Sequence, residues 1–275
     1  MEEITAEYAT ETLVKAPELR VVPKVTVACK TDLGRVRENN EDKFEYYLPE
    51  DERELASRGL VFVVCDGMGG HEAGQIASEL SCKTFLHEYL NHPSFEPSVA
   101  LESAVRAANR LVLDIARSIP SRRGMGTTLS ALALLQDFAW IAHVGDTRIY
   151  RVRDAALELL TVDHTWVEEA LRTGLIGPDE VNTHPHRHVL QRAIGTEDSL
   201  LVDVFQTDLR QGDLFLLCSD GLMNHVPDER IEEVLTESAP SEACWRLVGD
   251  ALVGGGSDNT TVIVVRVDSL DLVEP

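Results

Sequence analysis

Long apolar runs are missing from this 275-residue chain, so no segment has the length of a membrane-spanning helix. A basic excess is missing too: 25 Lys and Arg stand against 47 Asp and Glu, a formal net charge of −22. A field of that sign repels nucleic acid and anionic lipid, and no basic stripe offsets it. It favours cations, divalent metals and basic protein segments among them. CxxC spacings are absent: Cys29, Cys65, Cys82, Cys218 and Cys244 are odd in number, and Cys65 and Cys218 sit inside apolar runs. That pattern sets aside a disulfide framework and a zinc site, and it fits reduced thiols in a cytoplasmic protein. The opening MEEITAEYATETLVKAPELR lacks the basic-then-apolar order of a secretory signal. No Pro- or Gly-rich linker divides the chain, so a single domain is expected over about 23–270, behind a flexible acidic arm at 1–22.

What is present is an alternation of strand blocks and helix pairs. VTVACKT, KFEYYL and LVFVVCD read as strands, followed by helical stretches at about 72–91 and 98–118. In the second stretch Leu101, Val105, Ala108, Val112 and Ile115 recur at steps of four and three, which gives one apolar face. TTLSALALLQ, FAWIAHVGD, RIYRVRD and LELLT then form a meander. A polar, His-rich excursion at about 164–188 interrupts it. LLVDVFQTDL and DLFLLCSDG return to sheet, helices follow near 228–237 and 241–253, and NTTVIVVRV closes the series. Most strands adjoin without a helix between them, which disfavours a doubly wound parallel sheet. The expected fold is α+β: two antiparallel sheets packed face to face, each with a helix pair on its outer side.

Acids stand at the strand ends. VFVVCDGMGGHEAG runs from an apolar strand into Asp66 and Gly67, and FLLCSDGL does the same at Asp220 and Gly221. WIAHVGDTR places Asp146 after Gly145, GGGSDNTTV places Asp258 before a strand, and RENNEDKF places Glu41 and Asp42 before another. Singly, each is an ordinary cap or turn residue. Brought together they repel unless a cation compensates or their pKa values rise. Hard oxygen donors without paired Cys or His suit Mg²⁺ or Mn²⁺. A glycine beside the acid lets the backbone approach the ion with a bare carbonyl. The glycines do not fall at dinucleotide-fingerprint positions, and no Lys-Ser/Thr pair makes a P-loop. Arg37 precedes Glu41 and Asp42 by four and five residues, and its planar donors match two phosphate oxygens. A surface ion pair is the plainer alternative for it. Acids and arginine together point to phosphate-ester hydrolysis by a metal-activated bridging water.

These segments, in this order, resemble the metal-dependent serine/threonine phosphatases of the protein phosphatase 2C (PPM) family. GRVRENNEDKF, VFVVCDGMGGHEAG, GMGTTLSALAL, AWIAHVGDTRIY, LTVDHTWVEEALRTGLI, VLQRAIG, LFLLCSDGL and GGGSDNTTVIVV carry the likeness over about residues 30–267. DGMGGH with VDHTWVEE is similar to the compact bacterial branch. The resemblance implies an αββα four-layer sandwich and a two-ion Mn²⁺ or Mg²⁺ centre. By it, Asp66 bridges the ions, Gly67 lends a carbonyl, and Asp220 and Asp258 complete the first ion. Asp42 and Glu41 act through water, Asp146 serves a third ion, Arg37 binds phosphate, and 164–188 is a flap beside the cleft.

Animal relatives carry a histidine directly after the DG pair, where this chain has Met68. His71 is then the candidate general acid, with helix capping as its alternative. His184, His186 and His188 read as a solvated loop, His143 and His164 as structural hydrogen-bonders, and Trp140 and Trp166 as packing. The implied partners are phosphorylated Ser/Thr proteins, including a serine/threonine kinase or its substrates, and a monomer is expected. Alternatives are a phosphatase of an anti-sigma-antagonist-type switch, or an inactive relative that only binds.

Overall fold

The computed structural model describes residues 17–273 apart from 71 and 182. In chain order the first elements are β1 (Val21–Asp32), β2 (Lys43–Tyr47), α1 (Glu52–Ser57), β3 (Leu60–Cys65) and β4 (Gly67–Met68). Two long helices, α2 (Glu72–Leu90) and α3 (Pro97–Ser118), precede β5 (Gly126–Thr127), β6 (Leu129–Leu135), β7 (Phe138–Val144), β8 (Arg148–Arg153) and β9 (Ala156–Leu159). Then come α4 (Trp166–Arg172), α5 (Pro178–Val181), β10 (Asp203–Asp208), β11 (Leu214–Cys218) and α6 (Asp220–Met223). The series closes with α7 (Asp228–Glu237), α8 (Pro240–Val253) and β12 (Thr260–Leu272).

Two five-stranded sheets result, ordered β1-β12-β11-β8-β9 and β10-β7-β6-β3-β2, with every pairing antiparallel. Strand alternation assigns each side chain to a layer. In β3, Val61, Val63 and Cys65 face α2 and α3, while Leu60, Phe62 and Val64 face the other sheet. That is why this strand is one unbroken apolar run. In β11 and β12, Leu216, Cys218, Val262 and Val264 meet α6, α7 and α8, whereas Phe215, Leu217, Ile263 and Val265 fill the space between sheets. The four-layer αββα sandwich is therefore as expected. Leu101, Val105, Ala108 and Val112 of α3 are fully buried, and Ile115 packs beside them.

Several boundaries differ. β1 begins at Val21, inside the stretch assigned to the arm, and residues 1–16 of that arm lie outside the described residues. TTLSALALLQ is broken at Thr128: β5 pairs with β4 in a separate two-stranded ribbon, and β6 starts only at Leu129. Asp220 opens α6 instead of ending a strand. The 164–188 excursion carries α4 and α5. Its histidines are not simply solvated, because Trp166 stacks on His184 at 4.6 Å and meets His186 edge-on at 5.2 Å. Among the described residues no helix is long and apolar enough to cross a membrane.

Candidate active site

At one end of the sandwich a cleft of about 1370 Å³ opens, lined by Arg37, Glu41, Asp66, Asp146, Asp220 and Asp258. Asp66 follows β3 and is fixed by the break that separates β5 from β6. Its N–H donates to Thr128 Oγ1 at 2.9 Å, and its carbonyl accepts from Thr128 N–H at 2.9 Å and Thr127 Oγ1 at 2.8 Å. Asp146 follows β7 and Gly145, whose φ of +109° lies where side chains are strained. His164 clasps that turn: its Nδ1 accepts from Gly145 N–H at 3.1 Å, and its own N–H donates to Gly145 O at 2.7 Å. Asp203 Oδ2 accepts from His164 Nε2 at 3.0 Å, which fixes the tautomer. His143 bonds Ser130 Oγ and Val162 O. Both histidines are thus structural, as expected.

Asn259 ties Asp258 to the loop that carries Arg37 and Glu41. Its Oδ1 accepts from Glu41 N–H at 2.8 Å, and its Nδ2 donates to Leu33 O and Asn39 O. Ser219 plays the matching part for Asp220: its hydroxyl donates to Asp42 Oδ2 at 2.6 Å and accepts from Thr261 N–H at 2.9 Å. Asp42 accordingly lies behind the cleft wall, not in it, while Glu41 lines it. Arg37 Nη2 donates to Asp258 Oδ2 at 2.6 Å, so Arg37 both lines the cleft and makes an ion pair. Met68 is half-buried beside β5. His71 lies outside the described residues. Thr128, Ser219 and Asn259 escape sequence reasoning as site residues, although TT, SDG and DN were visible in the matching segments.

The acids strain against one another. Burial lifts the Asp66 carboxyl well above the usual carboxylate range, and Asp42, Asp220, Asp146 and Asp258 add to the rise. Burial does the same to Asp146, helped by Asp220 and Asp163. Burial, then Asp258, raises Asp220. Asp42 is pushed by burial to about 7, against the hydroxyls of Ser219 and Thr261. Among the described residues one buried carboxylate oxygen, Asp220 Oδ1, has no hydrogen-bond partner. Among the described residues no three Asp, Glu, His or Cys side chains surround one point closely enough to hold an ion unaided. Asp258 and Asp42 are held instead by Arg37 and Ser219. An orphaned carboxylate oxygen, mutual repulsion and an all-oxygen donor set fit Mg²⁺ or Mn²⁺, ions that keep part of their water shell.

A two-sheet sandwich with helices outside and acids gathered at one end defines a class, and the model of the Protein phosphatase 2C family matches residues 35–246. The chain belongs to this family, whose phosphatases are metal-dependent. It is 36% identical over 252 residues to the serine/threonine protein phosphatase PstP of Mycobacterium tuberculosis, over 92% of this chain and 47% of that protein. It thus spans about half the length of that relative. Against the serine/threonine phosphatase stp of Listeria monocytogenes it is 36% identical over 244 residues, 87% of this chain and 94% of the relative. The solved catalytic domain of PstP with two manganese ions superposes with a TM-score of 0.76 at 35% identity, over 90% of this chain and 98% of that one.

Proposed function

We propose that this chain hydrolyses phosphoserine and phosphothreonine esters of proteins with the help of Mn²⁺ or Mg²⁺. The observation that carries this is the convergence of Asp66, Asp146, Asp220 and Asp258 on one cleft, with Asp220 Oδ1 buried and unpartnered. We assign Asp66, the Gly67 carbonyl, Asp220 and Asp258 to two ions and Asp146 to a third; Glu41 at the cleft, and Asp42 from behind its wall, are assigned to contacts through water. Ions held there supply positive charge for the phosphoryl oxygens and lower the pKa of bound water.

The chain's own groups do the rest. Asp258 orients the Arg37 guanidinium at 2.6 Å, which leaves further N–H donors for phosphate oxygens. The Thr127 and Thr128 bonds and the Asn259 bridge keep Asp66, Asp258 and Arg37 in register with one another. Fixed placement of this kind is what converts binding energy into rate. His71 remains the candidate for protonating the leaving oxygen. Substrates are phosphorylated proteins, a serine/threonine kinase or its targets among them. A purely binding role would call for loss of an acid, and Asp66, Asp220 and Asp258 are all in the cleft. Four buried, unpaired thiols support action in the reducing cytoplasm.

The test is phosphate release from a phosphothreonine peptide, titrated with Mn²⁺ and Mg²⁺, for wild type and Asp258→Ala. Metal-dependent release in the wild type is expected to fall about 100-fold or more in the variant. No release by folded wild type at any metal concentration would rule the activity out.

A further inference from the structure

Two guanidinium groups line the cleft, and they differ. Arg37 is paired with Asp258. Arg187, on the flap between α5 and β10, is exposed, and its guanidinium has no hydrogen bond or ion pair among the described residues. Exposed arginines elsewhere, Arg117 and Arg172 among them, spend their donors on a carboxylate at 2.7 Å. The turn that presents Arg187 is nonetheless built. Its N–H donates to His184 O at 3.1 Å, Val189 N–H donates to His186 O at 3.0 Å, and Trp166 N–H donates to Val189 O at 2.8 Å. The His184 and His186 rings pack on Trp166. The next residue, His188, turns inward, its Nδ1 3.9 Å from Asp220 Oδ2. Arg187 therefore stands at the mouth of the phosphate site, on a turn braced by three rings, with its donors unspent.

Around it the cleft is acidic, with Glu41 and Glu197 beside the four aspartates, and the whole molecule repels anions. Resting on the phosphatase function proposed above, we propose that Arg187 is a specificity-determining residue. It receives a second anionic group of the substrate, a carboxylate or another phosphate, close in sequence to the phosphoresidue being hydrolysed. A planar guanidinium binds either anion through two parallel hydrogen bonds.

The test compares wild type, Arg187→Ala and Arg187→Glu, all loaded with Mn²⁺, on five substrates. These are p-nitrophenyl phosphate and phosphothreonine peptides with neutral, Glu-bearing, Lys-bearing or doubly phosphorylated surroundings. The small ester and the neutral peptide should be hydrolysed alike by all three proteins. On the anionic peptides Arg187→Ala should lose about tenfold in kcat/KM through KM, and Arg187→Glu more, while Arg187→Glu gains on a Lys-flanked peptide. Whichever anionic peptide loses more identifies the group received. Unchanged ranking of the peptides across the three proteins would overturn the role of Arg187 and leave the phosphatase function standing. Failure of the wild type on the small ester would overturn both.

Discussion

A Cβ added at Gly221 would lie 2.0 Å from the carbonyl oxygen of Asn259, and one added at Gly67 would lie 2.2 Å from that of Gly74. Both obstacles are backbone and cannot swing aside. The glycine after each acid therefore does more than bare a carbonyl: it lets the chain bearing Asp66 or Asp220 close against the neighbouring segment. Gly221→Ala should push Asp220 away from Asp258 and weaken apparent Mn²⁺ affinity about 10- to 100-fold. A metal titration of phosphatase activity, with urea unfolding beside it, checks this; unchanged metal dependence would show that the contact is yielding. A second residue-scale prediction concerns His143, whose pKa burial lowers from 6.5 to about 3. Between those values the unfolded chain binds a proton that the folded one refuses, so stability rises with pH through that window. This group contributes up to about 1.4 kcal/mol per pH unit there and nothing further above the window. His143→Gln should be less stable near neutrality, and its stability should depend less on pH between 4 and 6. Equal slopes for both proteins would show that His143 is protonated in the fold.

Among the elements, the β6–β7 turn has an unadvertised task. Gln136, with φ at +58°, accepts from Arg20 N–H and Val21 N–H at 2.9 Å each and donates to Glu18 O at 3.0 Å. It thus fastens the start of β1 across more than a hundred residues of sequence. Gln136→Ala should cost about 1–3 kcal/mol. Hydrogen exchange should show the loss first at the Arg20 and Val21 amides, and protection retained there would mean that β1 holds its own start. This turn shows where sequence reasoning stops. α3 was legible because its apolar residues repeat from Leu101 to Ile115, about four turns, and β3 because an unbroken apolar run ends at Asp66-Gly67. α1 has one turn and a half, announced only by Asp51 capping Arg53 and Glu54. α6 was hidden because it is a single turn, Asp220–Met223, too short for any apolar period, and only Ser219 separates it from the strand that ends at Cys218. The acids could be read from their motifs. Asn259, which bonds Glu41 from 218 residues away, and Ser219, 177 from Asp42, acquire their roles only when the sheets assemble.

For the molecule as a whole, the acids at the cleft ionise against the repulsion of a net charge of −22 to which they themselves contribute. Asp66, Asp146 and Asp220 are raised by burial and by one another, and Asp42 reaches about 7 from a model-peptide value of 3.8. For an acid with a raised folded pKa, the folded state holds more protons than the unfolded one between the two values. Metal-free stability contributed by this cluster therefore falls as pH rises from about 4 towards 7. Bound Mn²⁺ would reverse the penalty, because ions displace those protons and neutralise the carboxylates. At an ion concentration 100 times the dissociation constant the gain is about 2.7 kcal/mol, or several degrees in Tm. Protons compete with the ion, so the gain should be small near pH 5 and largest above pH 7. The His143 contribution runs the opposite way, but it is the same with and without metal and cancels in the difference. Calorimetric scans in EDTA and in Mn²⁺ at matched ionic strength, from pH 5 to 7.5, measure this directly. A Tm increment that is flat or shrinks with rising pH would mean that the acids are already ionised in the metal-free fold and that Arg37, Ser219 and solvent suffice to hold them.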